Sequence, residues 1–155
     1  MSSRGILAAC TDQVVGWALA NGLMFNPSKT DALCVGTRAQ LDKVRQHTEF
    51  TNLAIAGQSV QLGDRLKSLG VTIDDQLSFD DHITDVCRAV NFHTRALRRI
   101  RPFCTMNTAA TLAVGIVGSL LDYCSTLLCG TSNANMTKLQ RAQNNVARLV
   151  LLANR

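Results

Sequence analysis

Two short acidic runs carry the residue types most able to do chemistry in this chain. Asp74-Asp75 lies in "TIDDQ" and Asp80-Asp81 in "SFDDHI". Paired aspartates on a hairpin can hold two metal ions for phosphoryl or nucleotidyl transfer. Their local settings offer plainer roles. Asp80-Asp81 opens a helical pattern, where acids complement the positive end of the helix dipole. Asp74-Asp75 closes a strand pattern, where turns favour Asp. No third carboxylate stands out on a preceding strand apart from Asp31, so no metal site is assigned. The other chemically notable residues are cationic. Lys29 stands alone in the turn "FNPSK", and Arg88, Arg95, Arg98, Arg99 and Arg101 fall in a stretch without a single acid.

The six cysteines (10, 34, 87, 104, 124 and 129) form no C-x-x-C pair. Met1–Cys10 has no signal-peptide pattern. They are expected to be reduced, mostly buried thiols of an intracellular protein. His47, His82 and His93 are scattered, against a zinc site.

These residues must be held by about one domain's worth of chain, 155 residues. At 46% hydrophobic and 17% charged, it can build a core, and with 5% aromatics that core is aliphatic. The net charge of +5 is uneven. Residues 1–82 carry seven Lys/Arg against nine Asp/Glu, and residues 83–155 carry nine against two. A basic second half suits a polyanion partner; a solvated helix face is the alternative.

Periodicity predicts a helix over 6–21, with Ile6, Cys10, Val14 and Trp17 on one face. Pro27 then turns the chain into a strand over 31–37. A short helix over 38–49 and a hairpin around Gly57-Gln58 follow. Leu69, Val71 and Ile73 alternate as on one half-buried strand. From Ser78, a capping residue, the pattern is helical. Ile83, Val86, Val90, Leu97 and Ile100 form the inner face, with Arg88, Arg95 and Arg99 on another. Pro102 ends this helix. A second, largely apolar helix is predicted over 107–128, buried between its neighbours, and a third over 133–152 with Met136, Leu139, Val146 and Leu149 inward. The apolar run 112–129 is shorter than the ~20 residues of a membrane span and contains Asp122; no membrane partner is expected.

Five blocks, in order, then carry a resemblance: "WALANGLMFNPSKTDALCVGT", "LKSLGVTIDDQLSFDDHI", "RALRRIRPF", "GSLLDYCSTLLCGTS" and "KLQRAQNNVARLV". Together, from about Trp17 to Val150, they resemble the reverse transcriptase of LINE-type (non-LTR) retrotransposons, of the jockey and chicken-repeat kind. The resemblance implies an α+β chain. Residues 1–77 would be the end of the palm, a small mixed sheet and hairpin. Residues 78–155 would be a three-helix thumb. It also implies a truncated carboxy-terminal fragment, with fingers and catalytic aspartates upstream, that cannot polymerise alone. The parent enzyme would use Mg²⁺; this chain would hold no cofactor.

Residue by residue, Lys29 matches the family's lysine on the pyrophosphate side, where an ammonium stabilises the departing charge or donates a proton. Leu69, Gly70 and Val71 match the hairpin supporting the primer terminus. Arg88, Arg95, Arg98, Arg99 and Arg101 would meet the backbone of RNA or an RNA–DNA hybrid, weakly and without sequence preference. Two positions depart from the family pattern: Leu120 stands where arginine is usual and Ser125 where asparagine is usual. A stand-alone basic helical nucleic-acid-binding module is the alternative, and a relic without selected activity a third reading.

Overall fold

The computed structural model describes residues 3–46, 52–55 and 57–152, apart from the side chains of residues 3, 4 and 27. It is an α+β chain that divides into two compact units. The first comprises Met1–Ser68 and Ile73–Leu77, and the second Leu69–Thr72 and Ser78–Arg155. His47 lies outside the described residues.

The first unit opens with α1 (Ser3–Ala20), longer at its start than the apolar repeat predicts. Asn21-Gly22 stops it, with Gly22 at φ 73°. The expected inner face is not buried. Ile6, Val14 and Trp17 are 53%, 53% and 64% exposed, and among the helix's described side chains only Ala18 is buried. A helical repeat reports an apolar stripe, not what covers it. A single 3₁₀ turn, Pro27–Lys29, follows, tightened by the Asn26 carboxamide accepting from the Ser28 N–H at 3.1 Å. The strand expected over 31–37 shrinks to β1 (Ala32–Leu33). After it come α2 (Arg38–Gln46), β2 (Asn52–Ile55) and β3 (Gln58–Gly63). The sheet order is β1-β3-β2, with β1 parallel and β2 antiparallel to β3. Leu41 and Val60 are its buried apolar side chains, beside Ala18.

The alternation through Leu69, Val71 and Ile73 belongs not to one strand but to a hairpin, β4 (Arg65–Ser68) and β5 (Val71–Asp74). Leu69 and Gly70 form its tip with φ of 48° and 85°. Two successive positive φ values match the twist of a tight hairpin. Gly70 adopts this freely; Leu69 does so under strain.

The second unit is helical: α3 (Asp80–Ile100), α4 (Met106–Leu112) running through a π-helical stretch, Ala113–Gly118, into α5 (Ser119–Asp122), and α6 (Asn133–Leu151). The helix predicted over 107–128 therefore ends at Asp122. Tyr123 turns extended, Cys124 is left-handed, and a 3₁₀ turn over Ser125–Leu128 follows. Ala109, Ala113 and Val117 are its buried stripe. A four-residue repeat drifts around a regular α-helix; the wider i→i+5 turn holds it on one face. The opposite side is not covered: Val114 is 71% exposed.

Val90, Leu97, Ala113, Val117, Ala142, Val146 and Val150 form one core cluster. The inner face of α6 is offset from the predicted one. Met136 is 51% exposed and Leu139 and Leu149 are half-buried, while Asn135, Ala142, Val146 and Val150 are inside. Asn135 is there because it is satisfied: its amide donates to the Asp80 carboxylate and to Thr131 Oγ1. Thr105 and Ser132 cap α4 and α6 by accepting from Thr108 and Asn135 N–H groups. For α3, Phe79 takes the capping position. The Ser78 hydroxyl, expected to be the cap, accepts the Asp80 N–H from one residue before it.

The thiols are also corrected. All six cysteines are free, but Cys10 and Cys129 are exposed and the other four half-buried. Small, weakly polar thiols fit partly covered positions at little cost. No helix among the described residues is long and apolar enough to cross a membrane.

Candidate nucleic-acid interface

Ile83, Val90 and Leu97, buried at seven-residue spacing, fix the orientation of α3. Arg88, Arg95 and Arg99 consequently lie outward and exposed, as does Arg98 at the edge of the buried face. Their states differ. Arg88 pairs with Asp85 one turn earlier at 2.5 Å, with both side chains more than half exposed. Such a pair contributes little to stability, but it gives this guanidinium a carboxylate. Arg95 spends only Nε, donating to the Asn91 carbonyl at 3.3 Å. Among the described residues, Arg98 and Arg99 have no ion-pair partner.

Arg101 is not on this surface. It is 7% exposed, and its guanidinium donates to the Val150 carbonyl from Nε (3.2 Å) and Nη2 (2.8 Å), and to the Cys104 carbonyl from Nη1 (2.9 Å). Helix ends leave their last carbonyls without intrahelical donors, and Val150 stands in the last turn of α6. Arg101 therefore caps α6, with all three of its nitrogens engaged.

The four arginines left on α3 do not act as a simple stripe either. Arg95 and Arg98 face a groove of about 440 Å³ between α3 and α6, whose far wall holds Asn145, Arg148, Leu149 and Leu152. Among the described residues no carboxylate lines it. Arg148 is exposed and, among the described residues, has no ion-pair partner. Three guanidiniums thus converge from two helices on one polar groove. Each presents a planar fork suited to phosphate. Neither Arg148 nor Asn91 and Asn145 stood out in the sequence. Their spacing held the signal: Asn91, Arg95 and Arg98 share a side of α3 at intervals of four and three.

The remaining sequence-selected residues are not among those that line this groove. Lys29 is exposed at the end of its 3₁₀ turn, with its backbone N–H on the Asn26 carbonyl. Leu69 and Gly70 are the hairpin tip, and Val71 is 4% exposed. The Tyr123 hydroxyl donates to the Leu69 carbonyl at 2.5 Å, fixing that tip. The His82 imidazole accepts the Thr72 N–H at 3.5 Å.

Both acid pairs have structural employment. Asp74 accepts the Gln76 N–H in a local turn. Asp75 is 7% exposed and meets Arg45 at 2.7 Å, and the same guanidinium meets Asp64 at 2.7 Å. The hydrogen bond and charge of Asp64 raise the Arg45 pKa. Asp80 accepts from Asn135. Among the described residues no group of three or more His, Cys, Asp or Glu is placed to hold a metal. The resemblance places the Mg²⁺-holding aspartates of the parent enzyme before the Lys29 block; Asp74, Asp75 and Asp80 follow it and are engaged as described. Burial pushes the Cys87 thiol up while the charge of Lys138 pulls it down, which leaves no activated thiolate there.

No protein-family model, curated protein or solved structure matches the chain.

Proposed function

We propose that this chain is the palm-end and thumb part of an RNA-directed DNA polymerase of the LINE type, binding a nucleic-acid backbone but not polymerising by itself. The observation that supports this most is the groove in which Arg95, Arg98 and Arg148 converge, lined by no carboxylate among the described residues. Its donors suit phosphates rather than base edges, so binding is weak and indifferent to sequence. Lys29 keeps the role of a pyrophosphate-side cation in the assembled enzyme, and the Leu69–Val71 tip that of a primer support. The order of the blocks supports the second half of the proposal: the resemblance puts the metal-binding aspartates before the Lys29 block, whereas Asp74, Asp75 and Asp80 follow it.

The test is fluorescence anisotropy with a labelled single-stranded RNA across a salt series. Affinity falls with salt as counterions are released, by somewhat under one unit of log–log slope per phosphate neutralised. Arg95→Ala/Arg98→Ala/Arg148→Ala should flatten the slope by about two units if each guanidinium meets one phosphate. Equal slopes for both proteins, or no binding at low salt, would defeat the reading. A separate core in the second unit favours a stand-alone binding module as the second reading. Added polymerase fingers and palm restoring primer extension would decide for the first.

A further inference from the structure

We propose that the groove between α3 and α6 holds a single RNA strand, with phosphates on Arg95, Arg98 and Arg148 and ribose 2′-hydroxyls at Asn91 and Asn145. This rests on the reading above that the chain binds a polynucleotide backbone, and adds which strand it holds and how RNA is told from DNA. A space of about 440 Å³ is of small-molecule size. One sugar–phosphate strand enters it; a duplex does not.

The lining is sorted by chemistry. Arg95 and Arg98 are three residues apart, about 4.5 Å along the helix axis, so their long side chains reach neighbouring phosphates. Arg148 faces them from α6. Guanidinium groups only donate, so they satisfy phosphate but cannot accept the proton of a hydroxyl. Asn91 and Asn145 supply what is missing. A carboxamide both donates and accepts, as does a ribose 2′-hydroxyl, and that hydroxyl is the group by which a protein distinguishes RNA from DNA. The Asn91 and Asn145 amides have no hydrogen-bond partner among the described residues, whereas Asn144 accepts from Gln140 and Asn135 is buried in its own network. Leu149 and Leu152 add an apolar wall against which the carbon face of a sugar can rest.

The experiment compares a labelled single-stranded oligoribonucleotide with the deoxyribonucleotide of the same base sequence, both against the full chain at low salt. Wild type should bind the RNA about tenfold more tightly, the worth of two ordinary net hydrogen bonds. Asn91→Ala/Asn145→Ala should abolish that preference while leaving the salt slope unchanged. Both sites are exposed helix positions where Ala favours the helix, so the fold is kept. Arg148→Ala should weaken RNA and DNA alike and flatten both slopes. Equal affinity of wild type for RNA and DNA, or a preference that survives the double Asn variant, overturns this inference and leaves backbone binding standing. No binding to either strand overturns both.

Discussion

Arg101 makes the sharpest separation between a structural and a binding role. Replacing it with Ala removes three charge-assisted hydrogen bonds to two carbonyls, those of Val150 and Cys104. A bond to a charged group is worth about 1.5–3 kcal/mol. The two bonds to Val150 share one acceptor, so two acceptors rather than three bonds set the count. Leu151 and Leu152 beyond it are exposed, so water can reach part of the freed helix end and offset some loss. The expected cost is about 2–4 kcal/mol of second-unit stability. Arg101→Lys should recover only part, because an ammonium lacks the planar fork that spans both carbonyls. The assay is urea unfolding followed by helical circular dichroism, with the midpoint falling at unchanged slope. The salt dependence of nucleic-acid binding should stay as in wild type. A stability change under about 0.5 kcal/mol, within the ordinary range of surface substitutions, would refute the capping role. So would a salt slope that falls as it does for Arg148→Ala.

Further expectations concern the core, the hairpin and the single tyrosine. Val146→Ala should cost about 2–3 kcal/mol by urea unfolding, from two lost methyl groups and the cavity left, whereas Met136→Ala should stay within about 0.5 kcal/mol. Gly70→Ala should destabilise by about 1 kcal/mol through its backbone at φ 85°, since the added methyl meets only Tyr123 Cε1, at an ordinary 3.8 Å; equal stability would show the turn relaxing. Amide exchange should be faster through α1, where Ala18 alone of the described side chains is buried, than through α3. The Tyr123 phenol is raised above its usual 10 by the charge of Cys124, then by the hydrogen bond with it and by burial. A raised folded pKa means that the folded chain holds the proton longer. Its contribution is present below pH 10 and fades as pH climbs toward the higher folded value. Tyr123 is the chain's one tyrosine, so phenolate absorbance reads it alone. The midpoint should drop toward its ordinary value in Cys124→Ser or in urea.

The parts of the fold legible in the sequence are those where one period dominates. Ile83, Val90 and Leu97 set α3 because a seven-residue apolar spacing with acids first and arginines last has few other solutions. The hairpin at Gly57-Gln58 was marked by its glycine. Elsewhere the same rules misled for identifiable reasons. Leu69 looks like a strand residue because Leu is apolar and alternates with Val71; only the following Gly70 betrays a turn whose geometry demands two positive φ values. The long helix through 128 was over-extended because nothing in "DYCST" is a strong helix breaker. Its end depends instead on Tyr123 reaching the Leu69 carbonyl, a contact 54 residues away in sequence. On α6, Asn135 took an inner position and Met136 lost it, since a buried amide with two partners outweighs a flexible thioether left in water.

The candidate site was half legible, and the missing half is instructive. Five arginines without an acid between them gave the location on α3, but charge density does not distinguish a free guanidinium from an employed one. Arg88 meets Asp85 three residues earlier on the same helix, a local pairing, whereas Arg101 reaching the end of α6 is tertiary. Of the three that remain, Arg99 does not line the groove, and Arg95 and Arg98 do so only because α6 lies alongside and brings Arg148 and Asn145 across. The functional unit is therefore not the basic helix but the pair of helices. Packing α3 on α6 through Val90, Leu97, Val146 and Val150 holds the two polar walls at a fixed separation. A substitution that loosens that core without touching an arginine, such as Val146→Ala, should accordingly weaken RNA binding while leaving its salt slope unchanged. Every phosphate contact is still available in that variant, but the groove must be re-formed at each encounter.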